Sequence, residues 1–320
     1  MNRNYLNFRT DMADERVYTY KRVNKLTEID GVKVETKTND PVTTTIVDVL
    51  NENGANALSK EIGKYITMEI KDIKYLDEET KNKVVTELSN EIKLLIGEDK
   101  TKSILVVGLG NVYVTPDSLG PKVIQSVDIT RHLINFAKEL VEPGTRCVSG
   151  ISPGVLGTTG IETSEIITSV SSTVKPDIVI AIDSLASQSI HRLGTTIQLS
   201  NTGITPGAGV RNQREGINKN TLNVPVIAIG VPTVVDMATI TNEAIDKMID
   251  NTKQKIENGD GSINKEDADK IINMFDDDNR YSMIANVLDT ENYIVTPKEI
   301  DEVIQIVSDI ISSGINMSVN

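Results

Sequence analysis

Three acidic residues each stand beyond a short apolar run of the chain. The runs and their acids are 103–107 with Asp117, 177–182 with Asp183, and 224–229 with Asp236. If the runs are adjacent strands of an open α/β sheet, their carboxyl ends form the edge where ligands bind. Two carboxylates held close together cannot both ionise easily, so they share a proton. One carboxylate can then activate a water molecule while its protonated partner polarises a carbonyl group.

A purely structural role for these acids remains open from the residues alone. Asp is strongly preferred before a helix, where its side chain accepts a hydrogen bond from the first turn. Asp117 or Thr115 suits that position, with Pro116 as the first helical residue. Asp183 and Asp236 could cap helices in the same way. Glu162 and Asp236 are further candidates for the site, and for both we favour a capping role.

Other catalytic arrangements find little support. His132, His191 and Cys147 are the only histidines and the only cysteine, so no Ser-His-Asp or Cys-His set is convincing. His191 is expected on a surface helix, although it lies close enough to Asp183 in sequence to assist it. Cys147 is expected to be a buried small residue. The turn 108–111 lacks the third glycine of a dinucleotide fingerprint, so no nucleotide cofactor is expected.

The elements that would position these residues predict the fold class. Short β-branched runs without alternation are typical of strands covered on both faces. Residues 64–72 alternate in part and indicate a half-exposed strand. Helical spacing recurs in five stretches, 77–96, 119–140, 162–174, 235–250 and 297–312. We therefore predict a three-layer α/β sandwich with a largely parallel or mixed central sheet. Residues 1–42 are expected to be an irregular tail, and 256–278 a solvated, charged helical region.

Composition restricts the class of protein further. The chain has 320 residues and a formal net charge of −13, which argues against direct nucleic-acid binding because phosphate contacts need basic groups. A single cysteine excludes an intrachain disulfide and suits a reducing compartment. The first 20 residues have no apolar run, and no stretch approaches the roughly 20 apolar residues of a membrane span. A soluble, cytoplasmic protein without a membrane partner is expected.

Several motifs, in order along the chain, resemble those of the germination proteases of spore-forming bacteria. They are 104–122 with Thr-Pro-Asp117, Thr130-Arg-His-Leu133, 153–163, 175–183 with Ala-Ile-Asp183, Asn201-Thr-Gly203, Pro206-Gly207, 224–236 and Val295-Thr-Pro-Lys-Glu299. The resemblance is close over most of 101–245 and looser in the flanks. It implies an endopeptidase that degrades small acid-soluble spore proteins during germination, in the forespore or spore core.

The resemblance also assigns residues. In that family the catalytic aspartates lie in the two motifs that end in Asp117 and Asp183, the same acids that the strand-end argument selects. The family fold is similar to that of the hydrogenase maturation proteases, whose matching acids help to hold nickel together with a later histidine. Thr205 occupies the corresponding loop here, so we expect a metal-free aspartate pair without a cofactor. A nickel-dependent peptidase and a non-enzymatic α/β binding module are the alternatives.

Members of the family are made as self-processing zymogens and are homotetramers, and both properties are implied for this chain. Their preferred cleavage site is an acid, then a hydrophobic residue, then Ala. Asp11-Met12-Ala13 fits that pattern. We therefore expect cleavage between Asp11 and Met12, which makes 1–11 a propeptide and 12–320 a single peptidase domain with its core at about 101–250.

Overall fold

The structure of the chain, a computed structural model, describes residues 10–207, 215–257, 280–287 and 293–319. Residues 1–9 of the expected propeptide and most of the expected charged helical region, 258–279, lie outside these ranges. Among the helices within them, none has the length and apolar composition of a membrane span.

One mixed sheet organises the described residues. Its strands are β1 Val32–Asn39, β2 Val42–Val49, β3 Gly63–Ile70, β4 Ile104–Gly108, β5 Val148–Ile151, β6 Ile178–Ser187, β7 Thr196–Ser200, β8 Val226–Asp236 and β9 Ile294–Val295. Their order is β1-β2-β3-β7-β8-β6-β4-β5, and β9 pairs with the end of β8. Strands β5, β4, β6 and β8 run parallel, whereas β1, β2, β3, β7 and β8 pair antiparallel. Strand β8 therefore joins a parallel half to an antiparallel half.

Helices cover both faces of this sheet. They are α1 Ala13–Asn24, α2 Glu52–Leu58, α3 Glu78–Ile96, α4 Leu119–Ser126, α5 Arg131–Phe136, α6 Leu156–Thr159, α7 Thr163–Val174, α8 Lys219–Leu222, α9 Met237–Glu257, α10 Arg280–Val287 and α11 Ile300–Val319. Helices α3, α4 and α11 share the largest apolar cluster with one face of the sheet. On the other face, α1 and α2 pack on the antiparallel half, and α7 and α8 pack on the parallel half. The predicted three-layer α/β sandwich with a mixed sheet is confirmed.

The central strands form where the sequence predicts them. Every residue of β4 and β8 is buried, as expected for apolar runs between two helical layers. Helix α3 begins after Asp77, whose carboxylate accepts the N–H of Thr80 at 2.8 Å. Its apolar residues meet α11, and fully buried side chains such as Leu88 each stabilise the fold by about 1.5–3 kcal/mol. Gly314 allows this close approach, because a Cβ there would lie 2.9 Å from the Leu88 side chain.

Four local predictions were wrong. Residues 13–39 form α1 and β1 instead of an irregular tail, because α1 buries Val17 and Tyr20 against the antiparallel half. Strand β3 is mostly buried, since it lies between β2 and β7. The single helical pattern over 119–140 is interrupted, and its helices α4 and α5 end at Ser126 and Phe136. Helix α11 extends to Val319, seven residues beyond the predicted 297–312.

Candidate active site

Asp117 is held by the turn that follows β4. It ends a short 3-10 helix, Thr115–Asp117, in which Pro116 occupies the first turn. The backbone N–H of Asn111 donates to the Asp117 carboxylate at 2.8 Å and to the Asp117 carbonyl at 3.0 Å. Gly110 makes this possible: its φ is +109°, and a Cβ there would lie 2.0 Å from the Asp117 carbonyl oxygen. The hydrogen bonds from Asn111 to Asp117 therefore stabilise the turn. Neither the Asp117 nor the Ser118 side chain accepts a capping hydrogen bond from α4.

Asp183 belongs to β6 itself, not to the loop after it, because β6 continues to Ser187. It is opposite Gly230 of β8, and its Oδ1 accepts the N–H of Ser184 at 2.8 Å. Its side chain is buried, with only 6% of the residue exposed. No helix follows directly, so the capping role considered for Asp183 is wrong.

The two aspartates line one cavity of about 320 Å³ at the carboxyl ends of the parallel strands. Burial and the nearby Asp117 carboxylate both raise the pKa of Asp183 well above its ordinary value, and the Ser184 N–H only partly opposes them. Burial raises the pKa of Asp117 to about 6, with the Asn111 N–H acting in the opposite direction. Burial thus favours the protonated form of both carboxyl groups, and the Asp117 charge adds to this effect at Asp183. Two carboxyl groups in one cavity can divide the roles of acid and base between them.

The N-terminal segment reaches the same cavity, and Asp11 lines it together with Asp117 and Asp183. The Asp11 N–H donates to the carbonyl of Ala186 at 2.9 Å, and the Ala186 N–H donates to the Asp11 carboxylate at 2.8 Å. These bonds occur where β6 slips its register against β8, between Leu185 and Ala186. The irregularity turns backbone groups of β6 toward the incoming segment.

The residues after Asp11 are buried. Met12 and Ala13 have no exposed surface. A second cavity, of about 420 Å³, adjoins the first, and Asp11 is among the residues that line both. The side chains of Lys60 and Gln198, which line this second cavity, donate to the Asp11 carbonyl oxygen.

Helix α1 is anchored beyond this point by a buried acid. The carboxylate of Glu15 accepts the Ser187 hydroxyl and the Gln188 N–H, each at 2.7 Å. Arg192 pairs with Asp14 at 2.6 Å and approaches Glu15 at 3.6 Å. Charged side chains this well buried require partners, so these contacts fix the start of α1 against the end of β6.

The remaining candidates have other positions. Asp236 accepts the N–H and the hydroxyl of Thr239 at 3.1 Å each, so the favoured capping role is confirmed. Glu162 precedes α7 but accepts no capping bond from it. His191 is exposed in a 3-10 turn, not on a helix, and is not among the residues that line the first cavity. Thr205 lines both cavities.

A metal centre requires several donor side chains that converge on one point. Within the four described ranges, no group of three or more His, Cys, Asp or Glu side chains is arranged to hold a metal ion. Thr205, the residue expected from the sequence to stand in place of a histidine, lines the cavity and carries only a hydroxyl. Among the described residues that line this cavity, Asp11, Asp117 and Asp183 supply carboxylates and none supplies an imidazole.

Sequence analysis did not find Lys60, Gln198 or the Glu15–Arg192 anchor. None of these residues lies in a motif, and each acquires its position through tertiary pairing. Of the N-terminal segment, the sequence indicated only Asp11-Met12-Ala13, through its match to the expected cleavage pattern.

Comparisons with known proteins agree on one family. The family model described as germination protease matches residues 9–269. Germination proteases of Clostridium perfringens strain SM101, Clostridium tetani and Bacillus cytotoxicus are 46%, 45% and 39% identical, each over 98% of this chain. The matches cover 95%, 95% and 93% of those proteins.

A solved structure, that of a NiFe hydrogenase maturation protease from Thermococcus kodakarensis KOD1, is similar at 20% identity and a TM-score of 0.29. The match covers 44% of this chain and 80% of that one. The family model and the curated relatives, which extend over nearly all of the chain, decide the assignment: the chain belongs to the germination protease family of peptidases.

Proposed function

We propose that this chain is a zymogen of a spore-germination endopeptidase. It removes its own residues 1–11 and then cuts small acid-soluble spore proteins, with Asp117 and Asp183 as the catalytic pair. The observation that carries the proposal is that Asp11 of the expected cleavage site lines the same cavity as both aspartates. Family membership supports the protease activity, and the contacts of the segment support the choice of bond.

The division of roles follows from the electrostatics. Asp117, whose pKa of about 6 leaves it largely ionised at neutral pH, is the base that takes a proton from the attacking water. Asp183, whose pKa burial and the Asp117 charge raise, keeps its proton and is the acid partner. The base and the acid of this mechanism are both carboxylates, and no step in it uses a cofactor.

The contacts of Asp11-Met12-Ala13 also support the expected specificity. An acidic residue before the cut bond accepts the Ala186 N–H through its carboxylate. A hydrophobic residue and Ala after the bond suit positions with no solvent exposure, as Met12 and Ala13 have here. A spore protein segment with the same three residue types can make the same contacts only after residues 1–11 have left and Met12 and Ala13 have moved out of their buried positions.

The N-terminal mass of the purified full-length chain tests the proposal. Wild-type protein is expected to lose residues 1–11, whereas Asp117→Asn and Asp183→Asn keep them and remain folded. Removing a positioned acid or base is expected to slow the step about 10²–10⁴-fold. Asp177→Asn is the matched control, because Asp177 binds Ser103 at the opposite end of β6 and should process normally. Normal processing by both site variants would refute the aspartate pair.

The substrate is tested with processed wild-type protein and a purified small acid-soluble spore protein. We expect discrete fragments. Each new N-terminus should be a hydrophobic residue followed by Ala, and the residue before the cut bond should be an acid. An intact substrate, or cuts at unrelated sequences, would refute the specificity. Light scattering on the same sample tests the proposed homotetramer, which predicts four times the chain mass.

A further inference from the structure

The carbonyl oxygen of Asp11 accepts two side-chain hydrogen bonds. Lys60 Nζ donates at 2.7 Å and Gln198 Nε2 at 3.1 Å. This oxygen belongs to the Asp11–Met12 peptide bond, the bond that the proposed self-cleavage breaks. An oxyanion hole has donors 2.7–3.1 Å from the position that the negatively charged oxygen will occupy, and here two donors already hold the carbonyl oxygen before attack.

The amide of Gln198 has an unambiguous orientation. Its Oε1 accepts the Ala13 N–H at 2.7 Å while its Nε2 donates to Asp11, so exchanging the two atoms would break both bonds. One buried side chain therefore holds the backbone on each side of the bond between Asp11 and Met12. Only 8% of Gln198 is exposed, so little water competes for these bonds.

The register of the sheet gives Gln198 and Asp183 a common face. Gln198 of β7 is opposite Gly230 of β8, and Gly230 is opposite Asp183 of β6. Residues opposite one another in a sheet point to the same side, and strands are about 4.8 Å apart. Gly230 has no side chain, and the Leu185 side chain lies beside it where a Cβ would be. Gly230 itself lines the second cavity.

Lys60 donates to the same oxygen and, in its protonated form, brings a positive charge to it. Burial lowers the pKa of Lys60, and the nearby Asp11 carboxylate opposes that shift. Lys60 lies between α2 and β3 and is half-buried, with its ammonium 5.7 Å from the centre of the Tyr65 ring. A cation in a partly dry site stabilises a nearby negative charge more strongly than it would in water. An ammonium at 2.7 Å can therefore oppose the charge that appears on the Asp11 oxygen during attack.

We propose that Lys60 and Gln198 form the oxyanion hole of this peptidase, an inference that rests on the proposed aspartate pair and self-cleavage. Water adds to the Asp11 carbonyl carbon and gives its proton to Asp117, and the electrons of the C=O double bond move to the oxygen held by Lys60 and Gln198. The C–N bond then breaks as the oxygen re-forms its double bond. The nitrogen of Met12 takes the proton of Asp183. The products are the Asp11 carboxyl group and the Met12 amine.

This assignment refines the role of Asp183. A carbonyl oxygen has two lone pairs, and both are engaged by the two side-chain donors. The Asp183 proton therefore goes to the leaving nitrogen instead of polarising the carbonyl. The proton gained by Asp117 then passes to Asp183, which restores the starting protonation state of the pair.

The test is the rate at which the full-length chain gains a Met12 N-terminus, followed by intact mass. Lys60→Met and Gln198→Leu are each expected to lower this rate about 10²–10³-fold. Lys64→Met is the lysine control, because Lys64 pairs with Asp48 on β2. Gln305→Leu on the exposed face of α11 is the glutamine control. Both controls should cleave at the wild-type rate.

Conservative variants separate charge stabilisation from simple positioning. Lys60→Arg keeps a cation and should retain more activity than Lys60→Met. Gln198→Glu keeps an acceptor for the Ala13 N–H but loses the donor, so it should be no faster than Gln198→Leu. In an Asp117→Asn background, where the bond stays intact, Lys60→Met should leave hydrogen exchange of the Asp11 N–H unchanged. Faster exchange there would overturn the inference in favour of a positioning role.

The outcomes also distinguish this inference from the proposed function. Wild-type rates for Lys60→Met and Gln198→Leu, with no cleavage by Asp117→Asn, would overturn the oxyanion hole and leave the aspartate pair standing. Wild-type rates for the aspartate variants would overturn the pair itself. Circular dichroism shows whether Lys60→Met and Gln198→Leu fold. If either does not, the self-cleavage rate of Lys60→Arg or Gln198→Glu, relative to wild type, is the test of the oxyanion hole.

Discussion

The parallel and antiparallel halves of the sheet contribute different chemistry to one cleft. The parallel half supplies Asp117 and Asp183, because neighbouring parallel strands end at the same edge. The antiparallel half supplies Gln198 from the middle of β7 and Lys60 from the loop before β3. The two acids therefore lie close together because their strands run in the same direction. Gln198, which donates to the Asp11 carbonyl oxygen, is aligned with them by the register of β7 and β6 against β8. In the mechanism proposed above, neither half is sufficient alone.

Gly230 on β8 lies between the two halves, opposite both Asp183 and Gln198. A Cβ there would lie 2.4 Å from the Leu185 side chain, and Leu185 lines both cavities. Gly230→Ala is expected to push Leu185 into the cleft and misalign the two halves. A displacement of about 1 Å can lower a rate about 100-fold, so self-cleavage should fall by that order with the fold retained.

Gly157→Ala is the matched control for this substitution, because a Cβ at Gly157 meets nothing within 4 Å. The N-terminal mass of both variants over time is the measurement. Unchanged cleavage by Gly230→Ala would mean that the two halves do not act together across β8.

The pH dependence of the self-cleavage rate tests the roles of Asp117 and Asp183, the two acids of the parallel half. Asp117 must be ionised, and its pKa is about 6, so the rate should fall about tenfold per pH unit below that value. Asp183 must be protonated, so the rate should fall again at higher pH, where its raised pKa is passed. The profile is therefore a bell, measured as first-order rates by intact mass.

Asp11 titrates in the same experiment, because burial also raises its pKa. Asp11→Asn removes that titration, so the acid limb near pH 6 should persist in this variant after its rates are normalised. Loss of the limb would assign it to Asp11 instead of Asp117.

Asp236 gives the smallest expected effect and tests whether strand-end acids are equivalent. It is the last residue of the buried strand β8 and its carboxylate caps α9, whereas Asp117 lies in the turn after β4. Asp236→Ala is expected to lower the free energy of unfolding by about 0.5–2 kcal/mol, the usual contribution of such a cap, with the self-cleavage rate unchanged. Urea unfolding and intact mass would measure both, and a lost activity at unchanged stability would place Asp236 in the catalytic machinery.

The parts of the fold that the sequence predicts are those decided by local pattern. The unbroken β-branched runs predict β4, β6 and β8, and their direction predicts that Asp117 and Asp183 share a cavity. The apolar spacing of 77–96 predicts α3 to within a residue. In each case the signal lies within one element, so no distant contact is needed to interpret it.

The missed parts depend on pairing between distant residues. Residues 13–24 are polar on average, and α1 is stabilised by its docking on β2 and β3. Gln198 is an ordinary strand residue until β7 pairs with β8 and brings it opposite Gly230. Lys60 is a loop lysine until Asp11 arrives from 49 residues away along the chain. Such positions are not encoded in any window of sequence.

Helix α11 bears on when the peptidase can first act during its synthesis. Its buried residues, including Val303, Ile304 and Val307, complete the cluster that α3 and α4 form with the sheet, and α4 begins two residues after Asp117. Until Ile300–Val319 has left the ribosome, that face of the sheet is exposed to water and α4 lacks its support. We therefore expect the site to be incomplete, and self-cleavage to be slow, until α11 has packed.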